Sequence, residues 1–80
     1  MTIDEVRYGI ISCGSGFYFD YKGKQCGIDP SVEEGVFTFE VWYGKKYKDY
    51  GDWDEMVNDK FFDGKSLVDL LKTDIDFSFC

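Results

Sequence analysis

The sequence predicts an α+β fold: a small antiparallel sheet of three strands, or four if the carboxy-terminal segment joins it, packed against two to three short helices. Three observations predict it. Residues 17–21 and 36–43 alternate large apolar side chains with a period of two, the spacing of a strand with one buried face. Thr2, Asp52 and Ser66 each stand three residues ahead of an acid and just before apolar residues at helical spacing. Eighty residues, 20% of them aromatic, are enough for one core and therefore for one domain, residues 1–80.

Along the chain, Thr2 and Glu5 have the form of a capping box, so a helix over residues 3–12 places Ile3, Val6 and Ile10 on one face. Gly9 opposes this helix by about 1 kcal/mol relative to alanine, and residues 8–12 read alternatively as a strand; Gly14 is a stop. In residues 17–21, Phe17, Phe19 and Tyr21 share a face, and Lys22-Gly23 reads as the tip of a hairpin to a second strand over residues 24–28. Pro30, which has no N–H to donate, is expected to end that strand and to lead into a loop over residues 32–35. The third strand, residues 36–43, sends Phe37, Phe39, Val41 and Tyr43 one way and Val36, Thr38, Glu40 and Trp42 the other; Gly44 ends it, and residues 45–52 read as a loop. Asp52 then caps a helix of at most two turns with a stripe of Trp53, Met56, Val57 and Phe61. After a turn at Asp63-Gly64-Lys65, Ser66 caps a third helix presenting Leu67, Leu70 and Leu71, and Ile75, Phe77 and Phe79 alternate with polar residues as a short terminal strand would. The expected core is Phe17, Phe19, Phe37, Phe39, Val41, Leu67, Leu70 and Leu71.

Charge narrows the function classes. Sixteen acids against nine bases give −7, a field that repels phosphate and anionic lipid, so direct nucleic-acid binding is not expected. The one basic run, Lys45, Lys46 and Lys48, is followed closely by Asp49, Asp52 and Asp54. No stretch approaches the roughly 20 apolar residues of a membrane span, and residues 1–7 carry acids rather than the apolar centre of a signal peptide, so a cytoplasmic location is expected. Cys13, Cys26 and Cys80 are too widely spaced for a structural zinc site and odd in number, which predicts reduced thiols, no disulfide, no metal and no cofactor.

Several chemistries fail on the residues themselves. There is no histidine, so Ser-His-Asp and Cys-His catalysis are excluded within the chain. Gly64-Lys65-Ser66 matches the tail of a phosphate-binding loop, but Asp59 stands where that loop needs its first glycine, so a turn followed by a helix cap is the better reading. The acids from Asp49 to Asp59 break calcium-loop spacing, with Trp53 at the fifth position and Asp54 at the sixth. Glu40 and Glu55 could form an acid/base pair only if the fold brought them together.

Three phrases occur together: Phe19-Asp20-Tyr21-Lys22-Gly23-Lys24 running into Gly27-Ile28-Asp29-Pro30, then Trp42-Tyr43-Gly44, then Phe61-Phe62-Asp63-Gly64-Lys65-Ser66-Leu67. The combination resembles a group of short, uncharacterised bacterial proteins from gut-dwelling Gram-positive genomes and their mobile elements. The resemblance covers residues 17–72 and implies a bacterial cytoplasmic source and an accessory role; it carries over no catalytic residue.

The expected function is therefore a non-enzymatic module that binds another protein, a basic one by charge. Asp49, Asp52, Asp54 and Glu55 place four carboxylates within seven residues, and Trp42 is the apolar anchor beside them. Trp42 either joins Tyr18 in an exposed patch or packs beneath residues 45–52. The alternatives are a small-ligand binder or small enzyme using Glu40, Trp42, Tyr43 and Glu55, or a structural subunit of a homo-oligomer.

Overall fold

The computed structural model describes residues 1–79. The chain enters through the capping box. Thr2 Oγ1 accepts from the Glu5 amide at 3.2 Å, while Glu5 Oε1 accepts from the Thr2 amide at 3.0 Å. Helix α1, Ile3–Arg7, continues without a break into a π-helical turn, Tyr8–Ser12, closed by the Cys13 amide donating to the Tyr8 carbonyl at 3.2 Å. The helical reading of residues 3–12 holds over the strand alternative. Val6 and Ile10, one helical turn apart, are fully buried.

Five strands follow rather than three or four: β1 Phe17–Tyr21, β2 Lys24–Glu33, β3 Val36–Tyr43, β4 Lys46–Tyr50 and β5 Phe77–Phe79. They form one antiparallel sheet in the order β4-β3-β2-β1-β5. Two expectations are corrected in β2. Pro30 does not end it, and residues 32–35 are not a loop; β2 runs to Glu33 and turns tightly through Glu34 (φ 51°) and Gly35 (φ 80°) into β3. The register explains why Pro30 is tolerated. Glu33 pairs with Val36 across a two-residue turn, and the pairs alternate between bonded and non-bonded from there, so Pro30 faces Phe39 in a non-bonded pair and its missing N–H points away from β3. On that other side β1 has already ended, because Phe17 pairs with Ile28.

The expected loop over residues 45–52 is also corrected. Gly44 (φ 60°) opens a tight turn that pairs Tyr43 with Lys46, and β4 becomes the sheet edge. Only Tyr50 of its five residues is buried, and its lysines are what edge strands carry against pairing with other chains, so the apolar signal of a strand is faint there.

The α1 stretch, α2 (Trp53–Asn58) and α3 (Leu67–Leu70) bring Val6, Ile10, Trp53, Met56, Val57, Leu67 and Leu70 into one buried cluster with Phe17, Phe19, Ile28, Phe39, Val41 and Tyr50. Aromatic edges fit the layers together: Phe39 meets Trp53 at 5.6 Å and Phe19 meets Phe62 at 5.3 Å, both edge-on. The turn at Asp63 (φ 53°) and Gly64 (φ 82°) delivers Ser66, whose hydroxyl accepts from the Asp69 amide at 3.2 Å and caps α3.

Two expected core residues are less buried than expected, although Leu71 packs against the core from its margin. Leu71, the C-cap of α3, is half-buried, and Phe37 is 37% exposed. Beyond the Phe39–Tyr50 pair β4 has ended, and beyond Ile28 so has β1, so the far end of the β2–β3 hairpin pairs only with itself. Val32, Val36 and Phe37 are exposed on this arm.

Candidate functional site: the open sheet face

The helices cover one face of the sheet, and the register sets the composition of the other. Ser78, Tyr18, Gly27, Trp42 and Tyr47 are successive partners across all five strands and form a single cross-strand row. The Tyr18 and Trp42 rings sit 5.6 Å apart, tilted by 48°. Between them Gly27 has no side chain, and the indole lies directly over its backbone: a Cβ there would overlap Trp42 and would stand 2.8 Å from the Phe17 carbonyl oxygen.

The neighbouring row is Asp29, Glu40 and Asp49, three carboxylates paired directly across β2, β3 and β4. Tyr18 Oη donates to Asp29 Oδ1 at 3.2 Å and ties the two rows together. On the other flank Asp20 pairs with Gln25. There an open depression of about 490 Å³ is lined by Tyr18, Asp20, Gln25, Trp42, Asp76 and Ser78.

Strand alternation sorts the charge between faces. Asp20, Asp29, Glu33, Glu40 and Asp49 share the parity of Tyr18 and Trp42. The strand lysines, Lys24, Lys46 and Lys48, have the opposite parity. Lys24 reaches over the Tyr43 ring and Lys48 over the Tyr50 ring, both on the helix side. The open face of the described strands therefore carries five carboxylates and no cation.

The residues expected to act together are divided by this geometry. Trp42 lies half-buried beside Tyr18 on the open face; it does not pack beneath residues 45–52, which form the adjacent strand. Asp49 is exposed on the same face. Asp52, Asp54 and Glu55 stand apart from both, because Tyr50 ends β4 and the chain leaves the sheet for α2: Asp52 is the N-cap, accepting from the Glu55 amide at 2.9 Å, and Asp54 and Glu55 occupy the first turn. Glu40 is on the open face and Glu55 in the helix layer, so no acid/base pair forms. Tyr43 is buried on the helix side, separated from Trp42 by the pleat.

Asp59 belongs to a structural cluster. It accepts from Tyr50 Oη at 2.5 Å and from Lys48 Nζ at 2.9 Å. The Tyr50 hydrogen bond, then that of Lys48, holds its carboxyl below the ordinary range, while burial pushes the Tyr50 phenol up. Cys13 is exposed and Cys26 buried, both with free thiols; burial raises the Cys26 thiol to about 11. Cys80 lies outside the described residues. Among those residues no three histidine, cysteine or acidic side chains converge as metal ligands, and no helix is long and apolar enough to cross a membrane.

Sequence reasoning assigns no site role to Gly27, Asp29, Asp20 or Tyr47, yet the signal is present. Lys22-Gly23 as a two-residue turn sets Tyr18 opposite Gly27, and the same construction at Glu34-Gly35 sets Gly27 opposite Trp42. No protein-family model, no curated protein and no solved structure matches the chain.

Proposed function

We propose that the protein is a non-enzymatic docking module that binds a basic protein through the open face of its sheet. The observation that supports this reading is the pairing of the two rows: aromatic groups able to anchor a partner, flanked by carboxylates with no cation among them. Like charges directly opposite in a ladder oppose folding, so apart from the Tyr18–Asp29 hydrogen bond the carboxylate row contributes nothing to the fold that explains it. A positive partner surface is its complement.

Comparing two sets of acids tests the reading. Once a partner is captured from the host, Asp29→Asn, Glu40→Gln and Asp49→Asn together should slow association, with the difference fading as salt screens exposed charge beyond about 8 Å at physiological ionic strength. The set Asp52→Asn, Asp54→Asn and Glu55→Gln should leave association close to wild type. Trp42→Ala should speed dissociation. Association indifferent to salt and equal in both amide sets would defeat the proposal.

A specific observation favours one second reading. Val32 and Phe37, cross-strand partners on one face of the β2–β3 arm, are 56% and 37% exposed, an apolar surface suited to a homo-oligomeric contact. Sedimentation of the wild type against Val32→Ser/Phe37→Ser separates the two, since only self-association through the arm would be lost.

A further inference from the structure

The open face also indicates which side chain its partner presents. We propose that the depression beside the Tyr18–Trp42 pair, on its Asp20 flank, receives an arginine of the docking partner, its guanidinium lying against the indole and facing Asp20. This rests on the docking reading above and names the chemistry at its centre. The Tyr18 and Trp42 rings, in contact with centroids 5.6 Å apart and tilted by 48°, form one side of the depression, which at about 490 Å³ has room for one long side chain. Gly27 sets the depth of one wall, because the indole can lie down only where no Cβ lifts it. Asp20 stands at the rim beside Gln25, its ladder partner, and Asp76 lines the same space. The cations of β2 and β4 are all on the far side of the sheet, so Asp20 has no lysine of the open face to neutralise it.

Each alternative occupant leaves something unmatched. An aliphatic or neutral aromatic group would desolvate carboxylates without replacing their hydrogen bonds. A phosphate would meet like charge. Lysine brings charge, but as a strongly hydrated point with no plane to stack. Guanidinium is planar, weakly hydrated and forked, so one group can stack on Trp42 and donate two parallel hydrogen bonds to Asp20.

The test uses the isotope-labelled 80-residue protein and three capped pentapeptides, Gly-Ser-Xaa-Ser-Gly, with arginine, lysine or citrulline at the centre. Citrulline keeps the shape of arginine and removes its charge. The two tryptophans give two indole N–H resonances, and Trp53, 8% exposed in the core, serves as an internal control. The arginine peptide should move the Trp42 signal saturably, with a dissociation constant on the order of millimolar, and leave Trp53 in place. Lysine should bind several-fold more weakly and citrulline about tenfold more weakly. Asp20→Asn, an exposed site away from the core, should weaken arginine toward citrulline while leaving citrulline unchanged.

Citrulline binding as well as arginine would overturn the proposal. So would a Trp42 signal unmoved at about 50 mM arginine peptide, well above the expected constant. If that happened while a captured partner still lost affinity with the Asp29, Glu40 and Asp49 amides, the docking face would stand and its arginine would fall. If arginine bound in the depression and no partner responded to those amides, the docking reading would fall.

Discussion

Replacing Gly27 with alanine adds one methyl group beneath the aromatic row, and two opposed effects decide its sign. Gly27 sits within β2 and is not among the residues with positive φ, so its conformation suits alanine. The lower entropy of the unfolded chain then favours the substitution by about 0.4–1 kcal/mol. Against this, the new Cβ would overlap the Trp42 ring and approach the Phe17 carbonyl oxygen to 2.8 Å, so the indole or the β1 strand must shift. Overpacking of this kind costs about 1–3 kcal/mol. Sterics win, for a net loss of about 1–2 kcal/mol, which for a domain of this length lowers Tm by roughly 5–15 °C. Circular dichroism on heating and in urea measures it. Repeating the substitution in Trp42→Ala isolates the indole's share: the Phe17 contact remains, so Gly27→Ala should still cost something, but less, with a coupling of about 1 kcal/mol. A neutral or stabilising Gly27→Ala, or one equally costly with and without Trp42, would refute the placement of the indole on Gly27.

Phe39→Ala should destabilise by about 3–5 kcal/mol, a large part of what so short a domain possesses, because Phe39 is 3% exposed and meets Trp53 edge-on. Unchanged urea unfolding would mean that this face of β3 is not the buried one. Tyr50→Phe keeps the buried ring and removes the donor to Asp59, for a loss of about 0.5–1.5 kcal/mol at neutral pH. Asp59 is held below the ordinary carboxyl range in the fold, so its contribution is present above the unfolded value near about 4 and is lost as pH falls through the lower folded value. The gap between wild type and Tyr50→Phe should therefore narrow in urea titrations carried from pH 7 down to pH 2. Cys26 should resist maleimide in the native state, being buried with its thiol raised to about 11, while exposed Cys13 reacts. Peptide mapping that finds Cys26 labelled as fast as Cys13 would contradict the packing beneath β2.

The elements that bury a face were legible in the sequence, because burial writes its period into the residues. Phe17, Phe19, Phe39 and Val41, with the leucines of α3, were found by alternation and helical spacing, and the capping boxes of Thr2 and Ser66 by their acids. What escaped was structure that buries little. An edge strand such as β4, with one buried residue, carries almost no period, and the β2–β3 arm continues past Pro30 because register, not composition, decides whether a missing N–H matters. The site was half legible for the same reason. Trp42 and Asp49 could be named, but Asp52, Asp54 and Glu55 are near Asp49 only along the chain. The groups beside it in space, Glu40 and Asp29, come from two other strands.

The carboxylate row couples stability to occupancy. Asp29, Glu40 and Asp49 repel one another across adjacent strands, so the unbound fold holds an unfavourable term, of up to about 1 kcal/mol per pair, that the unfolded chain largely escapes. Whatever neutralises the row relieves it. Salt should therefore stabilise the free protein while weakening its hold on a basic partner, two responses of opposite sign from the same three groups. The amide variants that slow docking should, on their own, melt higher than the wild type. In the native protein, conformational stability is surrendered along one row of the sheet, and a bound cationic surface would restore it.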